Sequence, residues 1–170
     1  VFVRWFEYGT FCPVMRLHGY RWPLQPQYGT TGGATCVSGA PNEVWSYTDQ
    51  VCEILSDYLR LRERMLPYIT ELMEEAHEKG TPVMRPLFYD FPEDKESWNV
   101  ETEYMFGPKV LVKPITDADA RETDVYLPGG ASWTNAWTGE TFEGGQKVHV
   151  AAPIEQIPLF TRDGYKLPMK

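Results

Sequence analysis

Arg4-Trp5-Phe6-Glu7-Tyr8-Gly9-Thr10-Phe11-Cys12-Pro13-Val14-Met15-Arg16-Leu17-His18-Gly19 is the stretch on which the reading of this chain turns. Phe2, Trp5 and Phe6 follow helical spacing, which predicts a helix from Val1 to about Thr10. Phe11 to Gly19 then reads as a turn into a buried strand. Side chains alternate along an extended segment, so Arg16 and His18 share one side of it. A guanidinium and an imidazole side by side offer several donors in fixed geometry, which suits a polar, hydroxyl-rich ligand. Glu7, on the predicted helix, reads as a solvated or structural carboxylate.

Downstream, Tyr20 to about Pro41 is rich in Gly, Pro and Thr and reads as one long loop, a feature more often functional than idle in a folded domain. Trp22 and Tyr28 lie on it, as a sugar-stacking rim or as pins for the loop itself. The strongest periodicity follows. Val51, Ile54, Leu55, Tyr58, Leu61, Met65, Ile69, Leu72, Met73 and Ala76 recur at three- and four-residue steps and predict one apolar helix face. Ser46 or Thr48 can cap its start, with Asp49 beside the positive helix end. Gly80 and Pro82 mark its stop. Pro67 inside the run predicts a kink, or two helices meeting at Leu66-Pro67.

From Thr81 the texture changes to short β-type runs separated by Gly-, Pro- and Asp-rich breaks. The predicted strands are Val83 to Phe91, Glu103 to Phe106, Val110 to Ile115, Thr123 to Leu127, Trp133 to Ala136, Lys147 to Ala151 and Ile157 to Thr161. Such spacing predicts an antiparallel sandwich. The division is therefore residues 1 to 80, helical and loop-rich, and residues 81 to 170, all-β. Trp98, Trp133 and Trp137 read as core or interface of the second part.

The composition bounds the chemistry. The formal charge of −8 over 170 residues argues against nucleic-acid and anionic-membrane partners, both of which need a basic footprint. No apolar run approaches a membrane span. Three cysteines, none in a Cys-x-x-Cys pair, indicate neither a disulfide framework nor a zinc site, and His18, His77 and His149 are too dispersed for a metal centre. No cofactor and no metal is expected. Aromatics at 14% suit a core and also sugar-binding surfaces. The first predicted helix starts without a cap or an initiator Met, and we read the chain as a portion of a longer polypeptide. Compartment stays open.

The opening stretch resembles glycoside hydrolase family 31, the α-glucosidase and α-xylosidase family. The resemblance runs on through Arg60-Leu61-Arg62-x-Arg64-Met65-Leu66-Pro67-Tyr68, then Gly80-x-Pro82-x-x-Arg85-Pro86-Leu87 and Phe91-Pro92-x-Asp94. It continues with Tyr104-Met105-Phe106-Gly107-Pro108-x-Val110-Leu111-Val112-x-Pro114, Tyr126-Leu127-Pro128-x-Gly130-x-x-Trp133 and Ile157-Pro158-Leu159-Phe160-x-Arg162-x-Gly164. It implies an α+β chain: the C-terminal end of a (β/α)8 catalytic barrel (helix, last strand, long helix), followed by an antiparallel β-sandwich domain. It implies a retaining α-glycosidase acting on α-linked xylosides or glucosides through two carboxylates. The family places both in motifs upstream, Trp-x-Asp-x-Asn-Glu and a later Gly-Asp, and neither stands in this sequence. No catalytic residue is therefore assigned here.

By the same resemblance His18 touches the sugar where the bond is cut. Arg16 contacts sugar or orients a carboxylate, and Phe11 walls the subsite or packs in the core. The implied partners are an α-linked oligosaccharide or glycoside and the rest of the parent barrel, with a second copy of the chain as the remaining candidate. The Met15–Gly19 sequence looks more like the α-xylosidase branch. A noncatalytic carbohydrate-binding or interaction module is the alternative function.

Overall fold

A computed structural model of the protein describes residues 1–17 and 21–169. The first helix, α1 (Phe2–Thr10), buries Val3, Phe6, Glu7 and Thr10 along one side and has no side-chain cap at its start. Helix α2 (Asp49–Arg64) is capped by Thr48, whose Oγ1 accepts from Val51 N at 3.3 Å. Asp49 in its first turn and Arg62 and Arg64 in its last match the helix dipole. The predicted interruption is a break into two helices. Met65 ends α2, and α3 (Leu66–Lys79) begins with Pro67 in its first turn, where a missing N–H costs no helix bond. Gly80, at φ 71°, closes α3 in the left-handed region and donates to Ala76 O.

Beyond Gly80 come β1 (Met84–Arg85), α4 (Leu87–Asp90), β2 (Tyr104–Phe106), β3 (Val110–Val112), β4 (Glu122–Leu127), β5 (Ser132–Asn135), β6 (Thr141–Glu143), β7 (Gln146–Ala151) and β8 (Leu159–Arg162). They form a six-stranded antiparallel sheet in the order β1-β2-β3-β8-β5-β6 and a two-stranded antiparallel ribbon, β4-β7.

The centre of the large sheet is buried on both faces. In β3, Val110 and Val112 pack with the helices, while Leu111 packs with the ribbon. Leu159 and Phe160 in β8 divide the same way, as do Phe106 and Met105 in β2. This is why β3 is apolar at every position rather than alternating. The result is three layers: α1, α2 and α3, then the six-stranded sheet, then the ribbon. Between the last two lie Leu87, Phe91, Met105, Leu111, Val125, Leu127, Trp133 and Phe160. Helix α3 touches the β2–β3 hairpin directly, where Tyr68 Oη donates to Phe106 O at 2.8 Å. Gly107, at φ 60°, turns that hairpin, and a Cβ there would strike the Tyr68 hydroxyl and Leu72.

Four expectations need correction. Met15–Leu17 is not a strand and is largely exposed, because no strand among the described residues pairs with it. The segment from Val83 to Phe91 is strand only at Met84–Arg85. Pro86 lacks a ladder donor and stands as N-cap of the short helix α4, which buries Leu87. β6 was not foreseen, since its burial is limited to a half-buried Phe142 between exposed Thr141 and Glu143.

The long loop, finally, is not structureless. Gln25 and Ser38 form an antiparallel bridge and a short 3-10 turn occupies Gly32–Thr35; a second, Val44–Ser46, follows the loop. Arg21 donates to Pro41 O and Ser46 O and lies over the Tyr47 ring, pinning the base.

Candidate functional site

Among the described residues singled out for the sugar site, Phe11 and Arg16 follow the end of α1 in sequence, and Trp22 and Tyr28 lie on the loop beyond. Phe11 follows the helix directly and is 0% exposed, edge-on to Phe106 of β2 at 6.2 Å between ring centroids. Its ring is core, one of the two roles the sequence allows. The chain then turns through Cys12 and Pro13 to Val14 and Arg16, both exposed. His18 falls outside the described residues. Trp22 and Tyr28 stand on the pinned loop at 76% and 81% exposure, with their rings open to solvent. The structure thus puts Arg16 on an exposed segment and Phe11 in the core.

The turn is held by its carbonyls. Arg62 of α2 donates from Nη1 to Thr10 O at 2.6 Å and Cys12 O at 2.8 Å, and from Nη2 to Pro13 O at 3.1 Å. Tyr104 of β2 donates from Oη to Phe11 O at 3.0 Å. Thr10 O is one of the carbonyls a helix end leaves without an intrahelical partner, and those of Phe11, Cys12 and Pro13 belong to the turn beyond it. Sequence reasoning did not single out either residue as part of the site. Both sat inside quoted motifs, Arg62 in Arg60–Tyr68 and Tyr104 at the head of Tyr104–Pro114, which was a usable signal.

Glu7 is neither solvated nor available to a ligand. Its carboxylate is fully buried, accepting from Arg4 Nη1 at 3.0 Å and from Tyr58 Oη at 3.2 Å. Burial outweighs the Arg4 pairing and pushes its pKa up to about 7. Glu103, also buried, takes the backbone N–H of Tyr126 on both oxygens, and burial again raises its pKa to about 7 despite Lys113.

Both groups therefore bind protons more tightly in the fold than at the usual glutamate value of 4.5. Their contribution to stability is fully present below pH 4.5 and declines as pH rises toward 7. Urea midpoints between these limits are expected to carry a downward slope with rising pH that is shallower in Glu103→Gln. An unchanged slope in that variant would remove Glu103 as its source.

A groove of about 610 Å³ runs between α2 and the turn before β8, lined among others by Glu53, Asp57, Arg60, Trp137, Glu155 and Gln156. None of Phe11, Arg16, Trp22 and Tyr28 lines it. Of the three tryptophans read as core or interface, Trp133 is buried, and Trp137 is half-buried with Nε1 bonded to Ile157 O. Trp98 is exposed, stacked on Phe88 at 4.5 Å.

Residues 1–72 match the model of the glycosyl hydrolase family 31 TIM-barrel domain, and residues 80–167 match that of the glycosyl hydrolase family 31 C-terminal domain. The alpha-xylosidase of Saccharolobus solfataricus is 37% identical over 99% of this chain and 21% of its own length. Alpha-glucosidase 2 of Bacillus thermoamyloliquefaciens is 35% identical over 95% of this chain and 18% of its own. A solved GH31 alpha-xylosidase from a soil metagenome, complexed with xylose, superposes with a TM-score of 0.90 at 45% identity, covering 97% of this chain and 25% of that one. The chain spans about a fifth of the length of the curated relatives it matches. With the helix pair and its exposed turn matched by one domain model and the sheets by the next, in that order, the chain belongs to glycosyl hydrolase family 31.

Proposed function

We propose that the chain is the C-terminal portion of a retaining α-glycosidase that hydrolyses α-linked xylosides or glucosides. In this reading residues 1–80 close the catalytic barrel and supply one wall of the sugar subsite. Residues 81–170 form the β-sandwich that supports it. The observation that carries the proposal is the likeness over nearly the whole chain to a structure that binds xylose and is an alpha-xylosidase by name. The alpha-xylosidase and alpha-glucosidase names of the curated relatives agree with it.

In the wall, Arg16 and His18 present donors to sugar hydroxyls, and Phe11 packs behind them. Trp22 and Tyr28 have the exposure that a stacking rim requires. Acid and nucleophile come from residues outside this sequence, and the chain's own work is to bind and orient. A donor beside the reacting ring counts for more as the ring approaches an oxocarbenium-like state than in the bound substrate.

The test uses the complete protein that carries this chain. It should cleave p-nitrophenyl α-xyloside or α-glucoside, and His18→Ala should lose about 2–4 kcal/mol of transition-state stabilisation, read in kcat/KM, at an unchanged Tm. A well-folded complete protein inert toward both compounds would overturn the function. Unchanged kcat/KM with a lowered Tm would overturn the role of His18.

A further inference from the structure

Four consecutive carbonyls, those of Thr10, Phe11, Cys12 and Pro13, are each taken by a side chain from a distant part of the sequence. Arg62 reaches back over 52, 50 and 49 positions and Tyr104 over 93. Among the described residues Arg62 has no carboxylate in ion-pair reach, and its side-chain hydrogen bonds there all go to this turn.

The Tyr104 ring meets Tyr8 of α1 edge-on at 6.0 Å. Its backbone is paired with Val112 in the central sheet. The turn is therefore gripped from two sides, one anchored in α2 and one in the sheet. The grip is on backbone, so it sets direction rather than side-chain identity.

Resting on the function proposed above, we propose that Arg62 and Tyr104 are positioning residues for the sugar subsite. They hold the exit of α1 so that the exposed segment running through Val14 and Arg16, which leads in sequence to His18, is presented at one angle. A planar guanidinium suits this task because its fork spans several acceptors at once, which an ammonium does not. On this reading the β-sandwich acts on the subsite through the Tyr104 hydroxyl, beside the packing of Phe106 on Phe11.

The experiment compares Arg62→Met, Arg62→Lys and Tyr104→Phe in the complete protein, by kinetics on the two aryl glycosides and by amide exchange. Arg62→Met should lower kcat/KM on the order of 100-fold, the scale of a misplacement of about 1 Å in a subsite. Exchange should accelerate in residues 11–17 and stay unchanged in β3 and β8. Arg62→Lys should recover part of the loss, and Tyr104→Phe should act in the same direction with a smaller effect.

Wild-type kcat/KM in Arg62→Met would overturn the proposal. So would exchange accelerated throughout the chain with normal kinetics in the folded fraction, since a merely structural arginine predicts that pattern. Should Arg62→Met fail to fold, Tyr104→Phe decides, because it removes one hydroxyl and leaves the ring against Tyr8. If the complete wild-type protein cleaves no α-glycoside, the function proposed above fails. The exchange arm still tells whether the two side chains hold the turn, and unaltered exchange at residues 11–17 would overturn that as well.

Discussion

Purified as residues 1–170, the chain is expected to leave p-nitrophenyl α-xyloside and α-glucoside uncleaved, at the uncatalysed background rate. The effect is the largest in prospect, since enzymes accelerate such reactions by about 10⁶-fold or more. Retaining hydrolysis needs a nucleophilic carboxylate and a second carboxyl that protonates the leaving group, about 5–5.5 Å apart and both open to the substrate.

A raised pKa is the mark of such an acid. The described carboxyls that carry it are each committed to structure. Glu7 is closed in by Arg4 and Tyr58, Glu103 holds the backbone of Tyr126, and Asp90, raised by burial, is bonded to Arg85. None is half of an exposed pair. Turnover that survives repurification and follows the chain through a second column would overturn this expectation.

Trp133→Ala is the most damaging single change expected in the fold. The indole is 0% exposed between the large sheet and the ribbon, its ring tilted against Phe91 at 5.6 Å. Its Nε1 donates to Pro128 O at 2.9 Å, so the substitution removes packing and leaves a buried carbonyl unpaired. Large-to-small changes of this kind cost about 3–5 kcal/mol, a sizeable part of the 5–15 kcal/mol by which domains are typically stable. Urea unfolding followed by far-UV circular dichroism should show the midpoint fall steeply. Trp133→Phe, which keeps a ring but not the donor, should lose less. A Trp133→Ala midpoint close to wild type would show that the two sheets do not depend on this contact.

Local rules carried far in this chain, and where they stopped is physically instructive. The apolar stripe from Val51 to Ala76 identified the paired helices because their burial repeats every turn. The β runs were legible wherever turn residues bounded them. Val83 to Phe91 was misjudged because apolar content was weighed above the missing donor of Pro86. Thr141–Glu143 was invisible because an edge strand with one half-buried ring has little pattern to show. Arg16 and His18 were picked out by sequence motif. The hold on the turn between them and α1 depends on Arg62 and Tyr104, whose adjacency exists only after α2 and β2 are in place. No local window contains it.

The Arg4 guanidinium carries a consequence for how the molecule is made. It donates to the carbonyls of Ala120, Ala152, Pro153 and Gln156, at separations of 116 to 152 residues. A ribosome adding roughly 5–20 residues per second releases α1 several seconds or more before those acceptors exist. Through that interval Arg4 has Glu7 as the one of its eventual partners already made, and an uncapped nine-residue helix is too short to persist without packing. Of the described elements, α1 is thus among the last to gain its full set of contacts. A nascent chain stalled short of Ala152 would lack three of the four carbonyls that hold Arg4.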